Sequence, residues 1–82
     1  MFDAQGGMNV ETFAMRLKLA LAYKGMSRKE LCEKAPVSTA SLGNYFNCRA
    51  VPTITTAYAI AKALDVPLGW LCGDGTLEEV IG

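Results

Sequence analysis

The residues best suited to binding chemistry lie between positions 26 and 47, where two short helices are predicted one after the other. A serine precedes each helix: Ser27 stands three residues before Glu30, the spacing of a capping box, and Ser38 repeats the start signal. Apolar residues recur at steps of three and four, which turns the other side of the second helix outward. The outward residues are small or carry an amide: Thr39, Ala40, Ser41, Asn44 and Asn47. Such an uncharged face can enter a groove and form hydrogen bonds there.

The break between these two helices is short and stiff. Pro36 fixes its own φ at about −65° and pushes Ala35 away from helical geometry, so the predicted turn is sharp. Gly43 lies in the middle of the second helix, where glycine costs about 1 kcal/mol relative to alanine. A glycine at such a position indicates close approach, either to another helix or to a phosphate. Together, the helix, the tight turn and the slim polar second helix form the helix-turn-helix pattern.

Three further helices are predicted around this pair, and no strand pattern is found. The five predicted helices cover about residues 12–24, 28–34, 39–46, 54–64 and 68–72, which gives an all-α fold. In the first helix, Arg16 and Lys18 are predicted to lie off the apolar face. We expect residues 1–10 to form a mobile arm or leader, 11–73 the helix-turn-helix domain, and 74–82 a C-terminal tail. The buried stripe of the fourth helix is predicted to be Ile54, Ala57, Ile60, Ala61 and Leu64.

The composition indicates one small globular domain. About half of the 82 residues are apolar, and no apolar run approaches the ~20 residues of a membrane-spanning helix. Cys32, Cys48 and Cys72 have no CxxC spacing and the chain has no histidine, so neither a metal site nor another cofactor is expected. No signal sequence is seen, and reduced cysteines are typical of a cytoplasmic protein. No catalytic arrangement of histidine, carboxylates, serine or phosphate-binding glycines is present, so we do not expect an enzyme.

The charges are unevenly distributed along the chain, although the net charge is zero. Residues 12–64 contain all eight cations and only two carboxylates, Glu30 and Glu33, which gives this span a net charge of +6. A span of this charge can attract a phosphate backbone. The alternative is a solvated surface that happens to be rich in lysine, and the charge by itself does not separate the two.

Two segments, 16–38 and 52–71, resemble the Xre family of helix-turn-helix proteins, the group of Cro and the phage repressors. The resemblance covers about residues 12–73 without a gap, and the run from Leu42 to Asn47 is similar to the lambda-type repressors in particular. It implies a lambda-repressor-like fold that binds duplex DNA. The matching residues are Arg16-Leu17-Lys18, Gly25-Met26-Ser27, Glu30-Leu31, Val37-Ser38, Pro52, Ile60-Ala61-Lys62-Ala63-Leu64, Val66 and Leu71.

The resemblance also implies which residues contact DNA. It places one set in the major groove against base edges: Thr39, Ala40, Ser41 and Asn44. A second set is expected to contact phosphates: Ser27, Arg28, Asn47, Arg49 and Thr53. The alternative for the first set is an ordinary solvent-exposed face, and for the second it is helix capping and solubility.

Four departures from the family pattern affect these expectations. Arg28 replaces a common glutamine that contacts a phosphate and braces the third helix; arginine can bind the phosphate but cannot brace that helix in the same way. Pro36 replaces the turn glycine. Tyr45 to Cys48 stand where Trp-Glu-Asn-Gly is common, and we expect Tyr45 to pack and Cys48 to be an unreactive surface thiol rather than a redox sensor. Residues 39–41 are shorter than the usual glutamines, so few or water-mediated base contacts are expected.

The sequence therefore predicts a transcriptional repressor of phage or prophage origin that binds a two-fold symmetric site in duplex DNA as a homodimer. Two alternatives remain open. The fold can serve as a protein-interaction module, such as an antitoxin that masks a toxin or the target of an antirepressor, or the chain can be the DNA-binding part of a longer repressor. An apolar set near the C-terminus can either contact a partner subunit or cap the core: Trp70, Leu77, Val80 and Ile81.

Overall fold

The computed structural model describes residues 9–81, which form six α-helices and contain no strand. The predicted all-α class is confirmed. Most of the predicted N-terminal arm, residues 1–8, lies outside the described part of the chain. The helices are α1 (Val10–Lys24), α2 (Arg28–Lys34), α3 (Thr39–Phe46), α4 (Ile54–Leu64), α5 (Leu68–Leu71) and α6 (Glu78–Ile81). The bounds of α2, α3 and α4 agree with the prediction, and α5 ends one residue earlier because Cys72 is its C-cap.

Each of the first four helices begins after a side chain that accepts hydrogen bonds from amides of its first turn. Asn9 accepts from the Glu11 and Thr12 amides at 2.9 and 3.0 Å, so α1 begins at Val10 rather than at the predicted Thr12. Gly25 ends α1 in the left-handed conformation, at φ 65°. Local capping thus decides where these helices start.

The core lies between α1 and the helices that pack around it. Tyr45 of α3 packs edge-on against Phe13 of α1, with ring centroids 5.9 Å apart, so its predicted packing role is confirmed. This contact fixes the inner side of α3 to α1 and leaves the opposite side exposed. The largest fully buried side chains come from five of the helices: Phe13, Leu17, Leu31, Leu42, Ile60, Leu64, Trp70 and Leu71.

Arg16 is buried, which corrects the prediction that it lies off the apolar face. Only 8% of the residue is exposed. Its guanidinium donates three hydrogen bonds of 2.9 Å to backbone carbonyls, those of Trp70, Asp74 and Gly75. It also lies over the Trp70 ring, 5.1 Å from the ring centroid. The prediction was wrong because α5 and the chain that follows it pack against α1 and supply these acceptors, which the periodicity of α1 does not show.

The segment after α5 folds onto the domain and ends in α6, a helix that the sequence did not predict. The Trp70 indole donates to the Thr76 carbonyl at 2.8 Å, and Leu77 and Val80 pack against the core. Trp70 is only 2% exposed, so of the two roles considered for it, the structure shows core capping and not an exposed contact. Through these contacts, and those of α6 with α1, residues 74–81 pack on the domain.

One flank of α4 is more exposed than its periodicity predicts. Ile54 is 65% exposed, although it was predicted to belong to the buried stripe, whose other four members are buried. Val51 and Tyr58 are also exposed large apolar residues. The prediction for Ile54 was wrong because no other element of the described residues covers this flank at the beginning of the helix.

Candidate nucleic-acid interface

The side of α3 that faces away from α1 carries the residues predicted to read DNA bases. Leu42, Tyr45 and Phe46 hold the inner side of the helix in the core. Thr39, Ala40 and Asn44 are exposed on the outer side. No cation or carboxylate belongs to this helix, so its outer face offers hydrogen-bonding groups and methyl groups rather than charge.

Ser41 differs from its neighbours because its hydroxyl is already engaged. Ser38 caps α3 by accepting from the Ser41 amide at 3.0 Å, and its hydroxyl donates to the Ser41 hydroxyl at 3.1 Å. Ser41 is only half-exposed. Its hydroxyl retains its own proton for donation, but its position is fixed by the cap.

Gly43 faces open space on α3. No atom outside the helix backbone lies within 4 Å of the position that a Cβ would occupy. Of the two close approaches that the glycine indicated, contact with another helix is therefore absent from residues 9–81. Gly43 gives this part of α3 a surface without a side chain.

The turn between α2 and α3 is tight and anchored, despite the proline at its centre. The Val37 amide donates to the Ala35 carbonyl at 2.7 Å across Pro36, the pattern of a γ-turn. Ala35 also donates to the Leu31 carbonyl at 2.8 Å, and the side chains of Ala35 and Val37 are buried. Pro36 is exposed and contributes the fixed φ rather than a contact.

The beginning of α2 meets the end of α3. Ser27 and Glu30 form the predicted capping box, with the two hydrogen bonds at 3.0 and 3.1 Å. Arg28 follows Ser27 directly, and its guanidinium carbon lies 4.1 Å from the centroid of the Phe46 ring. Arginine was expected to lack the brace that glutamine gives the third helix, but this cation–π contact supplies a different one.

The loop after α3 carries the remaining candidate phosphate contacts. Asn47 is the exposed C-cap of α3, and the Arg49 amide donates to the Asn44 carbonyl at 2.9 Å, which keeps Arg49 beside the end of the helix. Cys48 between them is exposed and left-handed, at φ 59°. Thr53 is the N-cap of α4 and its hydroxyl pairs with Thr56, so it stands at the far end of this loop.

The structure therefore brings most of the predicted DNA-contact residues to one edge, formed by the beginning of α2, the outer side of α3 and the loop after it. It adds one cation that the sequence reasoning did not select. Lys18 of α1 lies over the same Phe46 ring as Arg28, with its ammonium nitrogen 6.0 Å from the centroid. Nothing in the sequence pairs Lys18 with Phe46, because the ring that it approaches belongs to another helix.

The C-terminal apolar set is more buried than the residues of the edge formed by α2 and α3. Trp70 is in the core, Leu77 and Val80 are half-buried against it, and Ile81 is half-exposed. Near this set, burial raises the pKa of the Cys72 thiol, and the neighbouring Asp74 carboxylate raises it further. The thiol of Cys72 is therefore protonated at neutral pH.

A family model described as Helix-turn-helix matches residues 17–71, about two thirds of the chain. The chain belongs to this Xre-type helix-turn-helix family, and it is a DNA-binding transcription regulator of that type. No curated protein and no solved structure matches the chain at a significant level. None of the helices in residues 9–81 is both long enough and apolar enough to cross a membrane.

Proposed function

We propose that the protein is a repressor that binds a two-fold symmetric DNA site as a dimer, with α3 in the major groove. The observation that carries this proposal is the exposed, uncharged outer side of α3, with Arg28 over Phe46 and Arg49 after Asn47 both near the C-terminal end of the helix. Exposed cations beside a slim polar helix match a groove whose rims are phosphate backbones. A phage or prophage origin is proposed from the similarity to lambda-type repressors.

The side chains proposed to contact bases from α3 are short. Asn44 can pair with adenine through two hydrogen bonds, and the methyl groups of Thr39 and Ala40 can contact a thymine methyl. Ser41 has a hydroxyl that Ser38 holds in place, so we propose that it contributes a fixed donor or a water-mediated contact. Because these side chains are small, reading bases in this way requires the helix to enter deeply.

The phosphate contacts proposed beside them hold the helix in register. Ser27 and Arg28 precede and begin α2, Asn47 and Arg49 follow α3, and Thr53 precedes α4. All five are exposed. The net charge of +6 over residues 12–64 supports the attraction of this side of the domain to the phosphate backbone.

The experiment that tests the proposal is selection of binding sites from a randomised duplex pool, at low and at near-physiological salt. We expect a two-fold symmetric site whose half-sites lie one helical turn apart and which persists at the higher salt. Sedimentation equilibrium with the selected duplex should show two protein chains per site. Binding that does not depend on the DNA sequence and is lost at the higher salt would contradict specific recognition. A protein that is monomeric both free and bound to DNA would contradict the dimer.

A second candidate function, binding to a protein partner, is favoured by the exposed apolar flank at Val51, Ile54 and Tyr58. The half-exposed residues Leu77, Val80 and Ile81 remain a candidate subunit or partner contact as well. A toxin masked by this domain, or an antirepressor bound to it, would occupy such a surface. The variant Arg28→Ala distinguishes the two functions, since it should weaken DNA binding and leave a partner on the apolar surface unaffected.

A further inference from the structure

The Phe46 ring joins three helices at the edge proposed to meet DNA. Phe46 is the last residue of α3, and only 5% of it is exposed, so its position is set by the core. The Arg28 guanidinium of α2 lies over this ring at 4.1 Å and the Lys18 ammonium of α1 lies over it at 6.0 Å. One buried aromatic ring thus holds two exposed cations from two other helices near a common point.

The two cations have no negative partner in the described residues. No salt bridge joins either of them to a carboxylate there, and no hydrogen bond from the Arg28 or Lys18 side chain is formed. The nearest carboxylate along the chain from Arg28, that of Glu30, already accepts from the Ser27 amide. An aromatic face attracts a cation by only about 0.5–1 kcal/mol at an exposed site, which does not neutralise two like charges.

We propose that Arg28 and Lys18 form a two-cation clamp for one backbone phosphodiester of duplex DNA, and that Phe46 is the residue that positions both cations. The proposal rests on the proposed DNA-binding function and extends it to α1. Guanidinium donors can pair with phosphate oxygens in a fixed fork, while the lysine ammonium adds a mobile point charge. The anion is assigned to DNA because Asn47, which follows Phe46 directly, belongs to the same edge.

The first test measures how the affinity of the protein for a mixed-sequence DNA duplex depends on salt. Each cation that contacts a phosphate contributes about 0.9 to the slope of log affinity against log salt. We therefore expect Arg28→Ala and Lys18→Ala each to reduce the slope by about that amount. Lys29→Ala is the matched control, because Lys29 is an exposed lysine next to Arg28 that approaches no aromatic ring in the described residues. Its slope should equal that of the unmodified protein.

The second test examines the positioning role of Phe46 by a double-mutant cycle. Phe46→Leu keeps an apolar side chain in the core but removes the aromatic face, and we expect duplex binding about two- to five-fold weaker. In the background of Arg28→Ala and Lys18→Ala, the same change should weaken binding no further, since nothing remains to be positioned. Phe46→Tyr retains the ring and should bind nearly as the unmodified protein does. Thermal unfolding of each variant verifies that the fold is kept.

The outcomes separate the clamp from the proposed function. If Lys18→Ala behaves as Lys29→Ala does while Arg28→Ala lowers the slope, the two-cation clamp is wrong and DNA binding stands. If both variants lower the slope but the randomised pool yields no preferred site, the clamp stands and sequence-specific repression is wrong. If the unmodified protein does not bind a duplex even at low salt, both proposals are wrong.

Discussion

Two arginines in this protein each lie over an aromatic ring, but their surroundings differ in other respects. Arg16 lies over Trp70, is buried, and donates hydrogen bonds to three backbone carbonyls. Arg28 lies over Phe46, is exposed, and its side chain forms no hydrogen bond within residues 9–81. The Arg16 guanidinium uses three of its five N–H donors inside the domain, whereas the Arg28 guanidinium retains its donors for a ligand.

This contrast shows that the surroundings of an arginine decide whether it stabilises the fold or is available to bind a ligand. A buried guanidinium must find acceptors because its desolvation is costly, so Arg16 ties residues 74–75 to α1. Even there, its Nε atom has no hydrogen-bond partner among residues 9–81. An exposed guanidinium loses little by remaining unpaired, because water solvates it until an anion arrives. We therefore expect substitutions of Arg16 to affect stability and substitutions of Arg28 to affect DNA binding.

The largest effect is expected for Arg16→Ala. The variant leaves three carbonyls without a donor and removes the ring contact with Trp70, so we expect the free energy of unfolding to fall by about 3 kcal/mol. For a small domain this is a large part of the total stability. Urea denaturation measures the change. Arg16→Lys keeps the charge but cannot donate to all of these carbonyls in the same geometry, and it should recover only part of the loss.

The matched substitution Arg28→Ala should have the opposite profile. We expect its free energy of unfolding to fall by less than about 1 kcal/mol, since only an exposed cation–π contact is lost. Its affinity for duplex DNA should decrease, with the salt slope reduced by about 0.9. If Arg28→Ala lowered the free energy of unfolding as much as Arg16→Ala does, both arginines would have a structural role, and the contrast between them would be wrong.

Gly43→Ala should separate stability from binding within α3. Alanine favours a helix interior over glycine by about 1 kcal/mol, and no neighbouring atom within 4 Å opposes the added methyl group, so thermal unfolding should occur at a higher temperature. We expect weaker DNA binding, because the methyl group would project from the side of α3 that is proposed to enter the groove. Thr55→Ala on the exposed side of α4 is the control that should leave DNA affinity unchanged. Unaltered affinity in Gly43→Ala would place this position outside the contact.

The smallest effect concerns the alkylation rates of two thiols, Cys48 in the loop after α3 and Cys72 at the end of α5. Cys48 is exposed on the edge with Asn47 and Arg49, while Cys72 is half-buried and its pKa is raised by burial and by Asp74. Since the thiolate is the reactive form, alkylation of Cys72 should rise only at a higher pH than that of an unperturbed thiol. Bound duplex should slow the alkylation of Cys48 and leave that of Cys72 unchanged, which mass spectrometry can follow at each site. Equal protection of both thiols would contradict the placement of DNA.

The same pKa shift gives a small pH dependence of stability. The folded pKa of Cys72 lies above its unfolded value, so the contribution from its thiol form is present below the unfolded pKa. That contribution is lost as the pH rises from the unfolded pKa through the folded one. Cys72→Ser should flatten this alkaline decline, which urea denaturation at a series of pH values measures.

Much of the helix-turn-helix itself could be predicted from the sequence. The bounds of α2, α3 and α4 follow from Ser27, Ser38 and Thr53, whose hydroxyls bond to amides only a few residues away. The outward side of α3 also follows from local periodicity. Asn9 was missed as the cap of α1, although its signal is equally local.

The roles of individual side chains were decided by parts of the chain far away in sequence. Ile54 fits the buried stripe of α4, yet no other described element covers it. Lys18 and Arg28 meet at Phe46 only because three helices pack together there.

Arg16 shows the same division most clearly. The sequence by itself determined the first five helices, the caps of α2, α3 and α4, and the family pattern, because these depend on residues within one or two turns of each other. Only the tertiary structure decided that Arg16 is a buried anchor and Arg28 an exposed cation, since burial depends on which distant segment covers a side chain. For Arg16 that segment is 70–75, more than fifty residues further along the chain.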